Sequence, residues 1–304
     1  MLFFILHHFY PLSGEVPLCK LNTEEDIMTG LSGFKQFSQE LKDDGYLMPV
    51  LFVGHGSPMN GIEDNEFSRR WSQIAKEIPE PKAVIVVSAH WLSNGTKITA
   101  MDFPKTIHDF GGFPQALFDV KYPAPGSQMV ANETASLLHS VHAELDHDWG
   151  LDHGAWTVVR HMYPKANIPV LQLSIDYNKG PQFHYDLAKE LYSLRKKGVL
   201  ILGSGNMVHN LRMVAWDRLS EPEYGFDWAH ELNLKFKKLI ENGDHQALIN
   251  YHQISPDIAL AIPTAEHYLP LIYSLGLQSK NEEISFFNDK AVGGSLTMTS
   301  VKFG

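Results

Sequence analysis

From Met48 onward, short apolar runs alternate with longer amphipathic ones. Pro49–Val53, Ala83–Val87, Pro169–Ile175 and Val199–Leu202 are continuous apolar segments bounded by small residues. That is the pattern of strands covered on both faces. Between them, Glu66–Glu77, Ser127–Val141, Gln182–Lys197 and Phe226–Asn242 read as helices. In the third, Leu187, Leu191 and Leu194 recur at helical spacing. The alternation predicts an α/β fold: a single domain with a largely parallel or mixed central sheet flanked by helices. The tail, Ile284–Phe287 and Ser295–Phe303, alternates as strands do and predicts an edge hairpin. His108–Gly126 is rich in Gly, Pro and aromatic residues, which predicts a long irregular loop of the kind that carries function.

Residues 1–47 follow no such pattern. Met1–Leu6 is apolar, but it lacks a basic start and falls short of the roughly 7–15 residue apolar region of a secretory signal. We read residues 1–47 as an N-terminal extension free to flex, with a short helix over Gly33–Asp43, and residues 48–304 as the catalytic domain. Met28 and Met48 stand as alternative starts.

Composition narrows the function classes. A chain of 304 residues can bury a sizeable core, and 44% hydrophobic with 20% charged residues is a globular profile. The formal charge of −10 argues against a phosphate backbone, hence against nucleic acid as a partner. No apolar stretch approaches the roughly 18 residues of a membrane span. A single cysteine, Cys19, excludes an internal disulfide and a thiolate metal cluster, and it fits a reducing cytoplasm. Sixteen histidines leave imidazole and carboxylate as the metal donors.

Three of the strand-like runs are followed by a histidine: His55, His90 and, after a longer gap, His209. Ligands of open α/β sheets bind beyond the carboxyl ends of strands, and neutral imidazole binds divalent transition metals. One histidine after a strand is more often a loop or capping residue, so the argument lies in the set. Gly54 and Gly56 on either side of His55 leave room for a ligand. Further on, Pro263-Thr264 reads as a helix start with Thr264 as its cap. Glu266 and His267 would then point about 100° apart, so only one of them would reach a shared ion. Spacing does not choose between them, and an acidic first-turn residue also suits the helix dipole by itself. Asp152 is placed to orient His153 through its second ring nitrogen. His139, His142, His147 and His161 read as solvated helix and loop.

Together these pieces resemble a known family. Gly54-His55-Gly56-Ser57-Pro58-Met59-Asn60 is similar to the first metal motif of the class III extradiol dioxygenases, in their DOPA-dioxygenase branch. Ser88-Ala89-His90-Trp91 is similar to the second. His108–Pro114, Tyr122–Gly126, Asp152-His153-Gly154, Gly205–Asn210 and Pro263–Pro270 resemble later blocks in the same order. The resemblance implies one divalent metal ion per chain, held by His55, His90 and His267. Protocatechuate-cleaving relatives use a glutamate as third ligand, which keeps Glu266 open. It implies that His209 is an acid/base catalyst or an additional metal contact, and that His153 faces substrate and oxygen. The metal would be Fe2+ for oxygen chemistry, or Zn2+ as commonly bound. The partners would be a small catechol such as DOPA and O2, with a muconic semialdehyde as product. Two rivals share most of these residues: a zinc-dependent hydrolase, and a non-enzymatic binding protein on the same fold.

Overall fold

The computed structural model describes Asp43 and residues 45–304. Residues 1–42 and 44, and with them all of the predicted helix except Asp43, which is not helical, lie outside the described residues.

Among the described residues, eight strands form one sheet in the order β4-β3-β5-β2-β6-β1-β10-β7. Its centre is a parallel quartet: β5 (Val170–Asp176), β2 (Ala83–Ser93), β6 (Val199–Gly205) and β1 (Val50–Gly54). Every residue of β1, β5 and β6 is buried, as expected of strands sandwiched between helical layers. Antiparallel pairs flank the quartet. β10 (Ser300–Phe303) runs against β1, and β7 (Ile284–Phe287) runs against β10 at the edge. On the other side β3 (Lys97–Thr99) opposes β5 and carries β4 (Glu144–Asp146). The sheet is thus mixed, and the tail forms the predicted edge pairing. A small hairpin, β8 (Ala291–Val292) with β9 (Leu296–Thr297), interrupts it.

Helix Glu66–Glu77 matches its predicted span because its start is chemically marked. The Asn65 side chain accepts from the Phe67 and Ser68 amides while Ser68 answers the Asn65 amide. Helix Asp227–Glu241 also falls where predicted. The segment 182–197 splits into Pro181–Glu190 and Tyr192–Lys196. Helix Gln128–Leu137 stops short of Val141.

Three expectations are corrected. β2 does not end before His90 but runs on to Ser93, with a register shift against β5 between Val87 and Leu92. Such an irregularity bends a strand and re-aims its side chains. Helix His153–Met162, which the sequence pattern did not reveal, has eight of its ten residues buried. Thr264 caps no helix: that helix begins at Leu269, with a proline in its first turn, and the Thr264 hydroxyl donates instead to Glu266 Oε1 at 2.7 Å. Among the described residues, no helix is long and apolar enough to cross a membrane.

Candidate metal centre

The sheet brings distant histidines together. β6 lies between β1 and β2, and its Ser204 pairs with Val53 on one side and Ser88 on the other. His55 leaves the end of β1, His90 stands two residues past Ser88, and both lean over β6. His153 opens helix His153–Met162, which packs on β2. His267 precedes helix Leu269–Leu277, and its carbonyl accepts the Asn206 amide at 2.9 Å, just beyond β6. The His209 amide, further along, donates to the Ala261 carbonyl at 2.8 Å.

The five rings form one cluster. The centroid of His55 lies 5.0 Å from that of His90, 5.6 Å from His153 and 5.4 Å from His267. His90 is 3.9 Å from His153 and 5.0 Å from His267. His209 stacks flat on His267 at 3.5 Å. The ligand nitrogens of His55, His90 and His153 all lie within 4.8 Å of one another. Neither Glu266 nor His267 contributes a donor to that group, where His153 stands third, and Glu266 Oε1 sits 3.4 Å from His267 Nδ1.

Hydrogen bonds set the ring orientations. The Ser204 hydroxyl donates its proton to the Gly154 carbonyl at 2.6 Å. Its oxygen can then only accept from His55 Nδ1, 3.0 Å away. His55 is therefore the Nδ1–H tautomer, with an Nε2 lone pair facing the cluster. His90 Nε2 lies 3.1 Å from that atom. Imidazole nitrogens bind zinc at about 2.0–2.1 Å, so two ligands about 90–110° apart are separated by about 2.9–3.4 Å. The observed spacing fits two donors to one ion.

Charge points the same way. Burial holds the His55 and His267 rings well below the ordinary histidine range, and the neighbouring imidazoles add to the effect. Burial also lowers His90, against an opposing pull from Asp109. It lowers His209 to about 4, against the negative charge of Glu266. At neutral pH these four rings are free bases, the form that binds a metal.

Glycine clears the space. Gly56 has φ +62°, and a Cβ on Gly154 would lie 2.5 Å from Ser88 Oγ and 2.9 Å from the His90 ring. Any larger residue at 154 would push His90 out of place.

Asp152 does not orient His153 as the sequence suggested. Its Oδ1 accepts the Ser88 hydroxyl at 2.7 Å and the Ala155 amide at 3.1 Å, capping the helix. Burial, reinforced by the negative charge of Asp109, pushes its carboxyl up to about 6. The partner of His153 is Asp109, which sequence reasoning missed. Asp109 Oδ2 is 2.9 Å from His153 Nδ1, and Oδ1 accepts the His153 amide at 2.9 Å. Burial opposes the charge on Asp109, but the bonds from His153 outweigh it and the carboxyl stays below its usual range.

The loop carrying Asp109 is irregular as predicted, apart from the four-residue turn Gln115–Phe118. Phe110 meets the His153 ring edge-on at 5.6 Å and packs with Phe113 and Phe118 at 5.4 and 5.1 Å. An aromatic wall thus stands beside the cluster. Of the histidines read as solvated, His161 is instead half-buried, with Nε2 2.8 Å from the Asn60 carbonyl.

Residues 48–299 match the family model described as the catalytic LigB subunit of aromatic ring-opening dioxygenase. The chain is 46% identical over 261 residues to a 4,5-DOPA dioxygenase extradiol of Escherichia coli (strain K12), covering 84% of this chain and 95% of that one. It is 34% identical over 262 residues to the protein of that name from Beta vulgaris, covering 84% and 96%. The crystal structure of an uncharacterized protein from Escherichia coli K12 superposes with a TM-score of 0.72 at 39% identity, covering 84% of this chain and all of that one.

Proposed function

The chain belongs to the LigB family of aromatic ring-opening dioxygenases, and from that premise we propose that it opens the ring of DOPA, or a close catechol, beside the diol, with O2, to a muconic semialdehyde. It is a metal-dependent extradiol dioxygenase acting on a catechol-type substrate. The observation that carries this reading is the convergence of free-base imidazole nitrogens, 3.1 Å apart at their closest, at the carboxyl ends of parallel strands.

His55, His90 and His267 hold the ion, with His209 against the third ligand. When bound, Fe2+ supplies Lewis acidity toward the diol and a route for electrons to dioxygen. Zn2+ lacks redox chemistry but outranks Fe2+ in affinity, so it is the ion that purified protein would carry. His209 is neutral at neutral pH and its ring makes no hydrogen bond to the described residues, so it is free to take a proton from a catechol hydroxyl and return it. His153 presents Nε2 as an acceptor to the other hydroxyl. Phe110 and its neighbours bound the space for the ring. The match over residues 48–299 supports residues 48–304 as the catalytic domain and 1–47 as an extension. A lone cysteine supports the cytoplasm as its compartment.

The test is reconstitution of metal-stripped protein with Fe2+ under argon, addition of DOPA and other catechols, then admission of oxygen. A yellow product with matching oxygen uptake is expected. Turnover under argon would make the protein a hydrolase. Failure with every catechol in oxygen would leave only a binding role.

A further inference from the structure

Two rings of the cluster turn the same atom toward one carboxylate oxygen. Asp109 Oδ2 lies 2.9 Å from His153 Nδ1 and 3.6 Å from His90 Nδ1. The first is a hydrogen bond and the second is too long for one. Oδ1 meanwhile accepts the backbone amide of His153 at 2.9 Å. One side chain from an irregular loop thus grips both the backbone and the ring of His153, a residue 44 positions away. The Asp109 side chain is 19% exposed, and among the described residues its ion-pair contacts are these two histidines.

An ionised carboxylate can only accept, so a ring nitrogen held against it must carry the proton. We propose that Asp109 is a positioning residue that fixes His153 in the Nδ1–H tautomer. The His153 Nε2 lone pair is then aimed into the cluster. Ser204 imposes the same tautomer on His55 from the opposite side. Asp109 thereby makes His153 an acceptor for a substrate hydroxyl. What the lone pairs are for rests on the ring-opening assignment. The tautomers themselves exist in the metal-free protein.

The plainer alternative is a staple that only ties the loop to the helix. D109N separates the two. Asparagine keeps the shape, and its oxygen can still accept the His153 amide, so a staple survives. Its NH2 group would then face His153 Nδ1 and, being a donor, would require that nitrogen to be bare. The proton would move to Nε2, and the lone pair would turn away from the site.

The measurement is long-range 1H–15N correlation on the metal-free protein, with the His153 and His90 signals assigned by their loss in H153Q and H90Q. Wild type should show His153 as Nδ1–H, and D109N should show it as Nε2–H with the backbone amide spectrum otherwise preserved. A wild-type His153 carrying its proton on Nε2 would overturn the proposal without any variant. So would D109N in which His153 still carries its proton on Nδ1. Failure of the wild-type protein to open catechols would sink the functional reading and leave this result standing.

Discussion

β1 begins and ends in buried polar chemistry, resolved in opposite ways. At its start the Arg195 side chain, fully buried, donates to the Met48 carbonyl at 2.7 Å and the Leu277 carbonyl at 2.6 Å, and pairs with Glu282. Each guanidinium nitrogen has a partner. At its end His55, equally buried, has one nitrogen satisfied by Ser204 and the other facing a nitrogen of His90. A closed network fixes structure. An open one, whose two imidazole nitrogens face each other 3.1 Å apart, can share one proton or hold one positive ion between them. The first end holds the fold together, and the second is arranged for binding.

Breaking each end should give different failures. His55→Ala removes a ligand and should abolish metal binding and turnover while the far-ultraviolet circular dichroism stays that of wild type; metal analysis of the dialysed protein checks this. His209→Ala should keep the metal and lose about 10²–10⁴ of kcat, the usual share of acid–base help. Steady-state kinetics against metal content separates it from the first variant. Arg195→Ala strands the Glu282 carboxylate and two carbonyls, and removing one member of a buried pair costs about 3–5 kcal/mol. Urea unfolding should show that loss, with the metal stoichiometry of the remaining folded protein unchanged. A further effect is graded with pH. The four lowered imidazoles are neutral when folded but protonate near the ordinary 6.5 when unfolded. The unfolded chain then binds more protons, so the metal-free protein should be fully stable above about 6.5 and lose stability as pH falls toward the folded value, about 4 for His209. Thermal melts of metal-free protein from pH 8 to 5 should fall monotonically, whereas a flat profile would mean that the rings are not buried as free bases.

How far the sequence could be read follows from what each feature depends on. The parallel quartet was legible because strands buried on both faces leave unbroken apolar runs, and Glu66–Glu77 because Asn65 and Ser68 mark its start. His90 was placed after a strand because nothing in Ser88–Ser93 announces that β2 continues through an irregularity. The helix at His153 is not legible because it is short, ten residues, and Gly154 in its first turn weakens its propensity. Pro263-Thr264 outcompeted the true start signal, Pro270 in the first turn of Leu269–Leu277. In the site, the histidines at strand ends could be proposed from topology. Asp109 could not, because its partner lies across the fold and the nearer Asp152 offered a simpler answer.

The central claim is that imidazoles far apart in the chain share one ion. Anomalous diffraction at the zinc edge from zinc-loaded crystals tests it directly. The account predicts one peak per chain, about 2.0–2.1 Å from Nε2 of both His55 and His90. A peak elsewhere, or none between those two rings in fully loaded protein, would contradict it.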